Sequence, residues 1–232
     1  MRLDKYVADA LGVTRSEARD LIRRGGLTVD GQPVSAPAAH VDTNEVLYNG
    51  ERLAPKGLVY IMMNKPAGVL SATEDKDQKT VLDLLPENYR RLGLFPAGRL
   101  DKDTEGFLLL TNDGALAHNV LSPKKKVGKT YLARLSRELG DEKIYILENG
   151  VDIGGYVTRP CRVEKLDPQT VYITIVEGKF HQVKKMFLAV DNHVDYLKRV
   201  SFAGLELDKA LGPGEYRELC TKELTDILRT IQ

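Results

Sequence analysis

Apolar positions recur at helical spacing from the first residues. Leu3, Val7 and the pair Ala10/Leu11 share one face, and Gly12 stops the run. Thr14 and Glu17 then form a T-x-x-E capping box, the start signal of a second helix. That helix carries a narrow apolar stripe of Ala18, Leu21 and Ile22, and Gly25-Gly26 ends it. Leu27-Thr28-Val29, the turn pair Asp30-Gly31 and Gln32-Pro33-Val34 predict a hairpin. A stretch with Arg52, Pro55, Lys56 and Gly57 has little apolar periodicity. The expected organisation is a small domain at 1–50, a linker at 51–58 and a larger domain at 59–232.

In the larger domain, Leu58 to Met63 is a continuous apolar run, so a buried strand is expected. Lys65-Pro66-Ala67-Gly68 breaks it, and Val69 to Thr73 is expected to resume the sheet. Thr80 to Leu85 predicts a short helix before Pro86, and Phe107 to Thr111 a strand followed by the turn Asn112-Asp113-Gly114. A helix is expected over Ala115 to Leu121. A strand from Lys129 to Leu135 places Tyr131 on the face opposite Leu132. Val171 to Val176 is β-branched and strand-like. Val183, Met186, Phe187 and Val190 mark an amphipathic helix, and Leu224 to Ile231 a last one. Strands and helices do not alternate regularly, which argues against a Rossmann fold and for an α+β class.

Composition changes the picture in one respect. The 232 residues are 42% hydrophobic and 29% charged, enough for a core without disulfides or metals. No apolar window is long enough to span a membrane. Met1-Arg2-Leu3-Asp4-Lys5 has no apolar signal region behind it, and Cys161 and Cys220 lack metal or redox spacing, so a cytoplasmic protein with reduced thiols is expected. The net charge of +1 excludes a uniformly basic binder, but the charge is segregated. Six basic residues and no acidic one lie between Val120 and Arg137, whereas acids outnumber bases six to four from Leu205 to Gln232. The Lys124-Lys125-Lys126 run is either a solvated loop or a phosphate contact.

Two features carry candidate chemistry. Arg15, Arg19 and Arg23 share one face of the second helix, either as a ridge for phosphates or as surface partners of Glu17 and Asp20. In Gly98-Arg99-Leu100-Asp101, the carboxylate can act as nucleophile or base, or simply cap a turn. No phosphate-loop or dinucleotide fingerprint is present. His40, His118, His181 and His193 form no ligand-spaced cluster with the cysteines, so no metal is expected.

The stretch R-L-D-K-Y-V-A-D-A-L-G-V-T-R-S-E-A-R-D-L-I-R-R-G-G-L-T-V-D-G-Q-P-V resembles the S4 RNA-binding module. That resemblance implies binding of structured RNA and no chemistry. The segment G-R-L-D-K-D-T-E-G-F-L-L-L-T-N-D-G is similar to the signature of the pseudouridine synthases. K-P-A-G-V-L-S-A-T before it, K-T-Y-L-A-R-L after it and E-G-K-F-H-Q-V-K-K-M-F later stand in the expected order. The chain resembles the branch named for the small-subunit rRNA enzyme.

This resemblance implies a small S4-like α/β domain beside a larger catalytic domain built on a mixed, mainly antiparallel sheet. It implies isomerisation of a uridine by cleavage of the N-glycosidic bond and re-attachment through carbon 5, with no cofactor and no metal. Asp101 matches the essential aspartate, as nucleophile at the ribose carbon or base at the 2′ position. Tyr131 matches the tyrosine that packs on the base; the residue pattern alone allows an ordinary core tyrosine. Lys184 matches the basic partner of the aspartate, where other branches carry arginine; the alternative is a snorkelling helix lysine. Arg99 matches an arginine associated with base flipping, and Lys65 with Lys124–Lys126 are the expected phosphate contacts. Large-subunit branches usually carry asparagine-arginine where this chain has Phe180-His181, and often long basic tails. The expected partner is therefore 16S rRNA or a small-subunit assembly particle, bound by a monomer. The alternatives are the same chemistry on 23S rRNA or a non-catalytic assembly factor. A hydrolytic glycosidase would need a second placed carboxylate, for which Asp103 and Glu105 are only neighbours in sequence.

Overall fold

A computed structural model describes residues 1–42, 44–54 and 57–231, so Pro55 and Lys56 of the expected linker lie outside the described residues. The chain divides into two compact units, residues 1–58 with 87–93, and residues 59–86 with 94–232.

In the first unit, α1 (Leu3–Leu11) ends at Gly12, whose φ of 69° is the left-handed C-cap expected of glycine. The capping box of Thr14 and Glu17 opens α2 (Arg15–Arg24). β1 (Leu27–Val29) turns through Asp30 and Gly31, both at positive φ, into β2 (Gln32–Pro33), as a tight hairpin demands. β3 (Val46–Tyr48) and β4 (Glu51–Leu53) complete an antiparallel sheet in the order β2-β1-β3-β4. Residues 51–53, expected in the linker, are thus a strand. Leu53 is buried in the same core as Leu3, Val7, Ile22 and Leu27, so the apolar partner that holds it lies far back in the sequence. The short helix α3 (Glu87–Arg90) falls in the 87–93 segment of this unit.

The second unit is built on β5 (Tyr60–Lys65), β6 (Phe95–Pro96), β7 (Glu105–Thr111), β8 (Lys129–Leu135), β9 (Arg162–Asp167), β10 (Thr170–Ile175), β11 (Val194–Phe202), β12 (Leu205–Glu206) and β13 (Tyr216–Glu218). The sheet order is β13-β5-β7-β11-β8-β10-β9, with β6 on β7 and β12 on β11. Every pairing is antiparallel except β7 with β11. β5 and β7 are central and almost wholly buried, which is why they are continuous apolar runs. β8 alternates buried and open positions, which is why its period was readable.

Among the described residues, four helices accompany this sheet: α4 (Gly114–Leu121), α5 (Asp141–Asn149), α6 (Gln182–Leu188) and α7 (Thr221–Thr230). Leu116, Ala117 and Val120 of α4 and Ile227 of α7 bury against Phe107 and Leu109 of β7. The expected short helix after Thr80 is a single 3₁₀ turn, Val81–Leu84, capped by Thr80 and Asp83. Val69–Thr73 does not resume the sheet; Leu70 makes one isolated bridge to Thr80. Among the described residues no helix is long and apolar enough to cross a membrane.

Candidate active site

The loop carrying Asp101 leads directly into β7 and is braced from the K-P-A-G-V-L-S segment. The Ser71 hydroxyl accepts from the Leu100 amide at 3.0 Å and donates to the Leu100 carbonyl at 2.9 Å. The Gly68 amide donates to the Lys102 carbonyl at 2.8 Å. Beneath the loop, the Lys65 ammonium donates to the carbonyls of Pro66 (3.0 Å), Asp101 (3.2 Å), Lys102 (3.1 Å) and Thr104 (2.9 Å). Three ammonium protons thus serve four oxygens. Lys65 is fully buried, and burial pushes its pKa down to about 8. Lys65 therefore cannot touch phosphate, contrary to the sequence expectation. A charge pattern shows a cation but not whether the chain folds over it.

At the other end of the loop, the parallel pairing of β7 with β11 sets Gly106 opposite Arg199. Gly106 has φ of 102°, and a Cβ there would lie 2.2 Å from the Arg199 carbonyl oxygen. Only glycine permits this approach, which fixes where the loop leaves the sheet.

Asp101, Arg99, Thr104, Tyr131, His181 and Leu197 line one small pocket of ≈ 70 Å³. Tyr131 comes from β8, where it stands directly opposite Arg199 of β11. The buried Arg199 guanidinium donates to the Phe107 carbonyl at 2.7 Å and lies 6.0 Å from the Tyr131 ring centroid. Lys184, from α6, approaches the Asp101 carboxylate at 3.5 Å. The separate sequence motifs thus converge on one place.

Two neighbours were not anticipated. Asp103 takes the shorter contact from Lys184, at 2.6 Å, so that ammonium bridges both carboxylates and holds the Asp103 carboxyl below its usual range. His181 places Nε2 3.6 Å from the other Asp101 oxygen. The Asp103 contact follows from the tight turn in which the Thr104 amide bonds the Asp101 carbonyl. A D-x-D spacing in a turn was the available signal. Glu105, by contrast, accepts from the Tyr196 hydroxyl at 2.8 Å.

The remaining basic candidates are at the surface. Arg99 is exposed and, among the described residues, has no hydrogen-bond or ion-pair partner. Lys124, Lys125 and Lys126 are exposed on the turn between α4 and β8. On α2, Arg15 and Arg19 are half exposed and reach back to Asp4 at 2.9 and 3.0 Å, while Arg2 bonds the same carboxylate. Asp4 is fully buried and its pKa is held down, chiefly by the Arg2 hydrogen bond. Among the described residues, Arg23 pairs only with exposed Asp20, at 3.4 Å. Asp4 ties Arg15 and Arg19, two members of the expected ridge, and it is a partner that i, i+4 counting does not reach.

A larger cavity of ≈ 600 Å³ is lined by Thr130, Leu132, Tyr172 and Thr174. Thr130 and Leu132 alternate with Tyr131 along β8, so that cavity opens on the opposite face of the sheet. It contains none of the candidate residues. Among the described residues, no group of three or more His, Cys, Asp or Glu side chains is placed to hold a metal ion.

The chain is similar to known proteins over nearly its whole length. The RNA pseudouridylate synthase family model matches residues 59–189, and the S4 domain model matches residues 1–53. An uncharacterized RNA pseudouridine synthase of Bacillus subtilis (strain 168) is 52% identical over 231 residues, covering 97% of each chain. The ribosomal small subunit pseudouridine synthase A of Escherichia coli (strain K12) is 41% identical, covering 98% of this chain and 100% of its own. A solved pseudouridylate synthase structure superposes with a TM-score of 0.71 at 34% identity, covering 98% of this chain and 99% of its own. The chain belongs to the RNA pseudouridylate synthase family and is an RNA pseudouridine synthase with an N-terminal S4 domain.

Proposed function

We propose that this enzyme converts one uridine of small-subunit 16S rRNA to pseudouridine, acting as a cytoplasmic monomer on the RNA or on an assembly particle. The observation that carries the proposal is the meeting of Asp101, Tyr131 and Arg99 around one pocket, with Lys184 on the Asp101 carboxylate. The full-length similarity to a relative named for the small subunit, and Phe180-His181 in place of asparagine-arginine, favour 16S over 23S rRNA.

The target base must leave its stack before a side chain can reach its sugar. Arg99, exposed at the pocket, fills the vacated position. Asp101 then serves as nucleophile at C1′ or base at C2′, with the Lys184 ammonium 3.5 Å from its carboxylate. The C1′–N1 bond breaks, the uracil turns against Tyr131, and a C1′–C5 bond forms. The C5 proton leaves to water and N1, which carries none in uridine, takes up one from water, so atoms and electrons balance without an external reductant. Tyr131 holds the ring and assists that proton's departure. The catalytic domain is assigned to residues 59–232 and the RNA-holding domain to the N-terminal segment.

The test is tritium release from 16S rRNA labelled at carbon 5 of uridine. Wild type should release one equivalent and Asp101→Asn none, with RNA binding and melting temperature retained. Release from 23S rRNA instead would reassign the substrate. Binding without release from either would return the assembly-factor reading.

A further inference from the structure

We propose that Phe180 and His181 form a stacking platform, at the rim of the pocket, for the nucleobase next to the target uridine. The proposal rests on reading the pocket as a uridine isomerase site and adds a substrate contact to it.

Phe107, Phe187 and Phe202 are fully buried, whereas Phe180 is 70% exposed. Its ring is not loose. It stacks on the His181 imidazole with centroids 3.8 Å apart and planes inclined by 20°. The Lys185 ammonium lies 5.3 Å from the Phe180 centroid. His181 in turn lines the pocket and reaches within 3.6 Å of Asp101. The stack therefore runs from the reacting carboxylate outward into solvent.

The backbone is shaped for this. His181 has φ of 52°, a conformation that L side chains rarely adopt, and such outliers concentrate where function requires them. The segment is tied on both sides of the pair. Buried Glu177 accepts from the Gln182 amide group at 2.8 Å, the Arg159 backbone amide at 3.0 Å and the Tyr156 hydroxyl at 2.7 Å. The Lys179 backbone amide donates to the Gln182 side chain at 2.9 Å. A solvent-facing aromatic pair on a braced loop is a pre-organised surface for a flat ligand.

Its chemistry selects a nucleobase. A flipped uridine's neighbours stay on the RNA strand, so they lie at the rim of so small a pocket. Exposed aromatics stack bases with little sequence preference, and adjacent lysines match the phosphates between them. Lys179 and Lys185 flank the pair on either side in sequence.

The chain contains no tryptophan, so Phe180→Trp introduces a single indole reporter. On titration with a 16S rRNA transcript, its fluorescence should be quenched with the same midpoint as RNA retention on filters. Unchanged fluorescence while the RNA binds would overturn the platform. In tritium release, Phe180→Ala should lower kcat/KM roughly 5- to 150-fold, the range for loss of one base stack. Phe180→Tyr should restore most of that loss and Phe180→Leu should not. Rescue by leucine equal to that by tyrosine would show apolar packing alone and refute stacking. Quenching without wild-type release from 16S or 23S rRNA would leave a base-stacking surface but overturn both the isomerase reading and the assignment of that base to the neighbour of a target uridine. Release without quenching would sink the platform only.

Discussion

A lysine ammonium shut away from water must find its hydrogen bonds inside the protein, and Lys65 finds them on the loop that carries Asp101. Four carbonyls converge on one cation, and three of them belong to residues 101–104. Replacing Lys65 by methionine would leave those oxygens buried and unpaired, a loss of about 2–4 kcal/mol after the relief of burying a charge. The pH dependence has a definite sign. Lys65 titrates near 10.5 in the unfolded chain and near 8 in the fold. Between those values the unfolded chain binds more protons, so this residue's contribution to stability rises with pH. Denaturant unfolding of wild type and Lys65→Met, compared from pH 7.5 to 10, should show the difference moving in favour of wild type above pH 8. A shift the other way would mean that the charged form is the preferred one in the fold. Asp101 and Tyr131 were legible because a motif marks identity and order. The environment of Lys65 was not, because burial depends on segments that meet only in the fold.

At the level of elements, the same contrast holds between local pattern and long-range pairing. β8 was readable to its ends because one of its faces is buried and the other open. The capped helix α2 and the Asp30-Gly31 hairpin were readable because their signals lie within four residues. α5 went unread because it leaves Tyr145 and Ile146 exposed and buries only Leu147. β9 went unread because it is a polar edge strand whose pairing partner, β10, supplies the pattern. The parallel contact of β7 with β11 has no local signature except one glycine. Gly106→Ala would drive a Cβ into the Arg199 backbone while holding a φ of 102°. Backbone atoms cannot step aside as a side-chain end can. The expected cost is about 3 kcal/mol or more, read as a lower denaturation midpoint. A midpoint within experimental error of wild type would show that β7 and β11 approach less closely than this pairing requires.

Over the whole molecule, a net charge of +1 gives little long-range attraction to a polyanion. Affinity for RNA must then come from local groups of cations, and the candidates differ in kind. Arg15 and Arg19 already serve buried Asp4, so part of their charge is committed to the fold. Lys124, Lys125 and Lys126 are exposed, and no acidic residue lies between Val120 and Arg137. Each phosphate they neutralise releases counterions, and the slope of log affinity against log salt counts those contacts. With about 0.7 per contact on unpaired RNA, replacing all three lysines by alanine should reduce that slope by roughly 2. The measurement is filter retention of labelled 16S rRNA from low to moderate salt, with wild type and variant side by side. Loss of affinity at low salt, with the two curves converging as salt rises, is the expected form, because screening removes only what the lysines supplied. Parallel curves would mean that the run is a solvated loop and that the phosphates are held elsewhere, leaving Arg99 and the α2 arginines as the next to test.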